Sequence, residues 1–516
     1  MTVPPTISSR IGWAVGAIFA AAYICVFVWY SPLLLQDYPN HLARAVVIDD
    51  LLFHGGSQFG NVFEYHFLAI PYILSDLPLV AGIELFCDRY GGAIWNGLIL
   101  LSLPSALIFY MRVTRIARDA QILVFTLSMY LATNWFYMMG FLAFALAIAA
   151  IVFCFALVEI LRQRWSNAVF CAYVVVLVLA YLVHLTTLIF LTAAIVVSAG
   201  TRLWLRTTSI KTEALILLPI GALLAWHFGV VVRYRSSGDL TEEGYFWGTV
   251  FRKIQRAGWP FIRYSPILDG ALLLAFIACV ALAIRRNLSR GTLTQPRVLE
   301  KLALAATFLA IYVVLPEGYP GAFYVDVRAL PLVTFFLLMA CLELPGKFPA
   351  NRSLDSSFAL SLAALLVAGN LAYLTLHLSR YNAWLNEYRT VVAAIPRGAY
   401  VLPIYTGAEE GTLRPSLHAA SFVVADRGAI IPYLFSGDRG SPMKYFRYLH
   451  RRYSPYIRWY ERPASFRVDW PSVACSYDFL LAMKPFDPRQ ISVSTTTVLE
   501  NDSAALLAVA KQACHS

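Results

Sequence analysis

Gln36-Asp37-Tyr38-Pro39-Asn40-His41-Leu42-Ala43-Arg44 follows closely on an apolar run from Ile11 to Tyr30, and the two together decide how the chain reads. A run of that length matches the roughly 20 residues that carry a helix across hydrocarbon. Just beyond it an acid, an amide, an imidazole and a guanidinium fall between Asp37 and Arg44. An ordinary span end needs only a polar cap and a stop, which Pro39 supplies by itself. The competing reading is that plain cap. The fuller cluster suits work on a phosphate-bearing lipid at the bilayer surface.

Composition sets the class. The 516 residues are 59% hydrophobic and only 14% charged, with a mean hydropathy of +0.64. Such a chain is a polytopic membrane protein, and its long, unalternating apolar runs exclude an outer-membrane barrel. The first run is too long for a signal-peptide core and lacks a small-residue cleavage site, so it reads as a retained span. The net charge of +11 does not indicate nucleic acid, because the basic residues lie in short loops between spans.

Those loops set the topology. Arg112, Arg115 and Arg118; Arg162 and Arg164; Arg202, Arg206 and Lys211; Arg285, Arg286, Arg290, Arg297 and Lys301; and Lys347 with Arg352 form successive basic clusters. Placing all of them in the cytoplasm makes the spans alternate consistently. The spans fall at 11–30, 91–111, 120–134, 138–161, 166–185, 187–201, 213–231, 268–285, 301–316, 329–345 and 358–378. That predicts about 11 transmembrane helices, with 11–13 as the range, an inside amino terminus and an outside tail. Tyr72 to Cys87 is also apolar, yet it carries Asp76, Pro71 and Pro78 lie beside or within it, and crossing would invert every later loop. It is therefore laid along the outer surface, as is Leu42 to Phe53.

The expected organisation is a transmembrane domain over 1–378 and a small α/β domain over 379–516 on the periplasmic side of a bacterial inner membrane. External loops at 31–90 and 232–267 belong to the first part. The second loop carries Arg233, Arg235, Arg252, Lys253, Arg256 and Arg263, which would form either a seat for an anionic headgroup or a solvated basic face. In the tail, Tyr400–Tyr405, Ala429–Phe435 and Phe479–Met483 read as extended, Arg380–Ala394 and Asp502–Ala513 as helical, and Tyr445–Arg462 as a surface apron. Cys475 and Cys514 are the tail's cysteines and can pair in an oxidising compartment. Neither a GxxxxGK[ST] nor a zinc-type Cys/His spacing occurs.

One span, an external loop opening on an acid, surface helices, then two spans joined by a basic turn and capped by the aromatic loop Asn134–Gly140 resembles the layout of the GT-C superfamily of membrane glycosyltransferases. The protein O-mannosyltransferase and lipid A aminoarabinose transferase branch is the most similar. The resemblance implies transfer of a sugar from a polyprenyl-phosphate carrier to a lipid, glycan or protein acceptor at the outer face, usually with inversion. It assigns Asp37 as the general base, or as the anchor of a divalent metal such as Mg or Mn. The family's frequent second acid has no counterpart in the aromatic loop, which leaves Glu64 or Asp326 as substitutes.

Gln36, Asn40, His41 and Arg44 complete the expected substrate-binding core around Asp37. Arg328, at the outer mouth of the tenth span, is a candidate for the carrier phosphate, with a snorkelling cation as its alternative. His184 ends the fifth span on the same side and is either part of the site or a satisfied interfacial histidine. A transporter or flippase of lipid-linked saccharides is the other functional class, and an O-antigen polymerase or ligase a third. Sparse buried charge and polar groups gathered on one face favour the transferase.

Overall fold

A computed structural model describes residues 7–67, 69–235, 246–285, 295–319, 322–343, 353–405, 412–436, 446–450, 452–455 and 468–511. Apolar runs become helices because a backbone without water to bond must satisfy itself. Helix α1 (Ile7–Trp29) is followed by α2 (Tyr38–Phe53), strand β1 (Phe63–Tyr65) and the long α3 (Ile73–Val113). Next come α4 (Arg118–Ala132), the short α5 (Trp135–Met138), α6 (Leu142–Gln163), α7 (Asn167–Val183), α8 (Leu185–Trp204) and α9 (Ile210–Arg235). After α10 (Val250–Arg256) the bundle closes with α11 (Pro266–Arg285), α12 (Pro296–Val314), the short strand pair β2 (Gly318–Tyr319) and β3 (Ala322–Phe323), α13 (Leu330–Leu342) and α14 (Ser353–Ala393).

Every expected crossing falls on one of these helices. Among the described residues six are long and apolar enough to span as they stand, and seven if the pair Val250–Phe261 and Pro266–Leu282, bent by 73°, counts as one. The rest are shorter or carry charge. The chain is thus an α-helical polytopic membrane protein. Helix α6 is the central member, with 78% of its span window buried against 17% for α9, which faces lipid. Its Ala143, Ala147, Ala149 and Ala156 are buried and allow close approach of its neighbours.

The expected surface segment is the first limb of α3. Cys87 (φ 62°, ψ 167°) breaks the helix, and the second limb, Arg89–Val113, enters the bundle. The limbs fold so closely that a Cβ on Gly91 would lie 2.2 Å from the carbonyl carbon of Gly82. Only glycine fits there.

Polar groups at span ends overturn one expectation, that buried charge is sparse. At the end of the bundle away from Asp37, Arg162 Nη2 pairs with Glu213 at 2.8 Å, and Arg202 Nη2 with Glu159 at 2.6 Å and Glu300 at 2.8 Å. Lys301 lies 3.3 Å from Glu300, and the Ser198 hydroxyl donates to Glu300. The side chains of Arg162, Glu213, Glu300 and Lys301 are 1–2% exposed. Residues counted as loop cations are therefore drawn in by acids on neighbouring helix ends. Such partners are set by packing, which sequence spacing does not reveal.

Beyond the bundle, α14 continues past residue 378 without a break, so the helical pattern expected at Arg380–Ala394 is its extension. At 1.5 Å per residue a 41-residue helix is about 60 Å long, twice the hydrocarbon thickness. The protruding half carries the carboxy-terminal region: Arg389 forms a fork with Asp426 of α15 (Phe422–Arg427) at 2.7 Å through both nitrogens. Behind it lies a four-stranded sheet. Strands β4 (Val401–Ile404), β6 (Phe479–Met483), β8 (Ala504–Val509) and β7 (Thr495–Glu500) run in that spatial order, with β4 and β6 parallel and the other pairs antiparallel.

Strand β8 corrects the helix expected at Asp502–Ala513. Its run Ala504-Ala505-Leu506-Leu507-Ala508-Val509 favours helix by propensity, but a place between β6 and β7 buries nearly all of it. Strand β5 (Phe446–Tyr448) pairs with β1 and stitches the first external loop to the tail, with Phe63 4.5 Å from the Tyr448 ring. The rest of the expected apron lies largely outside the described residues. Cys475, in α16 (Trp470–Ser476), is disulfide-bonded, and Cys514 lies outside the described residues.

Candidate functional site

Asp37 sits at the entry of α2, where the chain turns from the first span. Its backbone N–H donates to the Met139 carbonyl at 2.9 Å, and its own carbonyl accepts from the N–H groups of Asn40 and His41. The aromatic loop between α4 and α6 holds it from the other side. Gly140 (φ +83°) approaches so closely that a Cβ would lie 2.8 Å from Asp37 N and 2.7 Å from Tyr38 N. The acid is thus fixed by backbone contacts in a buried position, 8% exposed.

The carboxylate faces a residue that sequence reasoning missed. His418 Nε2, from the tail segment Pro415–Ser421, lies 3.6 Å from Asp37 Oδ1. Phe435 holds the ring edge-on at 5.0 Å, and the same phenyl packs on His41 at 5.5 Å. No local motif marks His418, since it sits some 380 residues from Asp37 and meets it only through the fold.

The other members of the expected core hold this roof in place. Gln36 Oε1 accepts from the Arg414 N–H at 2.8 Å. Asn40 Nδ2 donates to the Tyr433 carbonyl at 2.8 Å while its Oδ1 accepts from the Phe435 N–H at 2.7 Å. Arg44 donates to the Phe435 carbonyl at 3.0 Å, to Asp76 Oδ1 at 2.6 Å and to His41 Nδ1 at 3.0 Å. The segment Ala429–Phe435, expected as a strand, makes a bridge between Ile430 and Tyr400, and much of its other backbone bonds to side chains, those of Asn40, Arg44 and Tyr448. Part of the His41 ring still meets solvent, but dense surroundings and then Arg44 and His418 hold it well below the ordinary imidazole range. It is a neutral acceptor for Arg44.

His184 and Arg328 come together as expected of residues on one face. His184 joins α7 to α8, and its Nδ1 accepts the Thr186 N–H at 3.1 Å. Arg328 Nη1 lies 3.2 Å from the Nε2 of that ring, and its guanidinium stands over Phe141 at 5.2 Å and Phe144 at 5.6 Å. A backbone N–H and a guanidinium can only donate, so both ring nitrogens face a donor: Nδ1 the Thr186 N–H and Nε2 the Arg328 guanidinium. The histidine thereby orients the guanidinium, whose charge suits an oxyanion. Phe141 neighbours Gly140, so the aromatic loop ties this pair to the Asp37 side.

Asp326 and Glu64 are each held in ion pairs of their own. Asp326 is fully buried between Arg256 (3.4 Å) and Lys253 (3.5 Å), and burial raises its carboxyl although Arg256 opposes the shift. Glu64 is on β1, 3.1 Å from His66 and 3.0 Å from Arg447. The side chains of Arg233 and Arg235 lie outside the described residues, and among those described the loop cations are paired rather than a free basic face. Arg256 reaches Glu317 at 2.9 Å and stacks on Trp259 at 4.6 Å, and Arg263 is enclosed by Asp269, which caps α11 by accepting the N–H groups of Arg263, Tyr264 and Ser265. Lys253 donates to the carbonyls of Tyr312 and Leu315. Lys253 and Arg256 are drawn into packing because α10 lies against the end of α12 and the segment that follows it.

No protein-family profile matches the sequence, and no curated protein matches it. The fold, a helical bundle with a carboxy-terminal region packed over Asp37, has solved counterparts. Two solved structures share it over nearly the whole chain. ArnT from Cupriavidus metallidurans bound to undecaprenyl phosphate has a TM-score of 0.54 at 11% identity, covering 95% of this chain and 97% of that one. The apo state of the same protein gives 0.53 at 13% identity, covering 97% and 98%.

Proposed function

We propose that the protein is an integral membrane glycosyltransferase that moves a sugar from a polyprenyl-phosphate carrier to a hydroxyl-bearing acceptor at the periplasmic face. The observation that carries this reading is the pairing of the buried Asp37 carboxylate with the half-buried His418 imidazole, in a fold that also brings Arg328 against His184. The fold shared with a protein crystallised with undecaprenyl phosphate supports the carrier class.

In this reading Asp37 takes the acceptor's hydroxyl proton as the acceptor oxygen bonds to the anomeric carbon. The bond from that carbon to phosphate breaks, the electron pair leaves on the carrier phosphate, and the sugar inverts. Arg328, oriented by His184, stabilises the departing anion with charge-assisted hydrogen bonds. His418 orients Asp37 and limits its access to water. The tail segment over the site, held by Gln36, Asn40 and Arg44, shapes the acceptor side. Asp37 with a divalent metal is the second role open to the same residue, and EDTA treatment separates the two.

The test is transfer of labelled sugar from a polyprenyl-phosphate donor in membranes, followed with mass spectrometry of co-purifying lipid. Arg328→Ala should weaken carrier binding by about 1.5–3 kcal/mol and act mainly on KM. Carrier lipid crossing the bilayer with no transfer would instead establish a flippase.

A further inference from the structure

Asp49, His54 and Glu84 converge on the outer side of α2, and nothing in the proposed transfer uses them. One ligand atom from each lies within 4.8 Å of the other two. His54 Nδ1 is 3.5 Å from Asp49 Oδ2, and its Nε2 is 3.9 Å from Glu84 Oε2. Glu84 comes from the first limb of α3, so the trio joins the two interfacial helices.

The adjacent acid shows what is unusual. Asp50 is satisfied by its own turn, accepting from the Ser57 hydroxyl and from the N–H groups of Gln58 and Phe59. Its carbonyl accepts from the N–H groups of His54 and Gly56, which sets His54 at the end of α2. Asp49 lacks such a turn. It is 9% exposed, and its buried Oδ1 has no hydrogen-bond partner. An orphan carboxylate oxygen at that depth is unfavourable unless something occupies it.

We propose that Asp49, His54 and Glu84 bind a divalent transition-metal cation that braces α2 against α3. Mixed imidazole and carboxylate donors suit zinc, whose ligands lie about 2.0–2.2 Å from the ion, so that neighbouring ligand atoms are about 3.4 Å apart in a tetrahedron. The observed spacings need only small rotations of the half-exposed His54 and Glu84 to close on one ion through a single imidazole nitrogen. A metal held by both Asp49 oxygens also uses the orphan Oδ1, which an imidazolium lodged between two carboxylates does not. The site lies twelve residues along α2 from Asp37, about 18 Å of helix, so it is structural and separate from any metal at Asp37.

The test uses the full chain in detergent with its affinity tag removed, stripped with EDTA, dialysed against zinc chloride and analysed by mass spectrometry of the metal. Wild type and Asp37→Asn should each retain about one zinc per chain, and both should melt higher with zinc than without. His54→Ala, a surface change that should not disturb folding, and Glu84→Gln should lower retained zinc at least tenfold and abolish the melting shift. Wild type at the reagent background, or His54→Ala binding as wild type does, would overturn the proposal and leave a protonated imidazole between two acids. Zinc lost with Asp37→Asn but kept by His54→Ala would equally overturn it, by placing the metal at Asp37.

Discussion

Replacing Gly140 with alanine isolates the contact that fixes Asp37. The new methyl would lie 2.7 Å from Tyr38 N, 2.8 Å from Asp37 N and 3.1 Å from Asp37 Cα. These are backbone atoms, so no side-chain rotation relieves them. Ordinary contact begins near 3.4 Å, which requires a displacement of about 0.6 Å or more. A reacting group moved by about 1 Å can lose roughly 10² in rate. The φ of +83° adds about 1–2 kcal/mol of backbone cost for a residue with a Cβ. Gly398 is the control: its φ is +71° and a methyl there would meet nothing within 4 Å, so Gly398→Ala carries the backbone cost alone. Both variants should lose about 1–2 kcal/mol in detergent melts, Gly140→Ala somewhat more, but only Gly140→Ala should lose sugar transfer, by about 10-fold to 100-fold. Transfer at the Gly398→Ala level in a folded Gly140→Ala protein would refute the role given to the aromatic loop.

Other expectations concern the roof, the far end of the bundle and pH. Asn40→Ala leaves the Tyr433 carbonyl and the Phe435 N–H without their partner, so stability should fall by about 1–3 kcal/mol, and limited proteolysis should cut the 412–436 segment sooner than in wild type. Arg162→Met removes the partner of Glu213 and should cost about 3–5 kcal/mol, whereas the double variant with Glu213→Leu should recover most of that in the same melt. His41 is held neutral when folded, while the unfolded chain takes a proton near pH 6.5. Stability should therefore fall as pH drops below that value, by about 1.4 kcal/mol per unit until the folded ring also protonates. His41→Gln, which keeps an acceptor for Arg44, should flatten the melting profile between pH 7 and 5, and an unchanged slope would remove His41 from that account.

The membrane helices were legible because hydrocarbon demands long apolar runs and internally bonded backbone, and every expected crossing lies on a helix. Residues 36–44 were legible as a cluster, yet their division of labour was not. Gln36, Asn40 and Arg44 carry groups that could hold a substrate, but here they bond to backbone of a tail segment some 390 residues away. His418 was hidden for the same reason. Asp502–Ala513 misled because alanine and leucine favour helix until neighbouring strands claim the backbone. Arg162, Lys253, Arg256 and Arg263 counted as loop cations because a sequence shows where a charge lies along the chain and not which acid the packing will bring to it.

The most direct measurement of the central claim is sugar transfer by Asp37→Asn, in protein shown by melting to be folded, from a polyprenyl-phosphate donor at saturating concentration. The amide keeps the shape beside His418 and removes the base, so turnover should fall by about 10² or more with little change in donor binding. Turnover equal to wild type would contradict the assignment of Asp37 as the residue that takes the acceptor's proton.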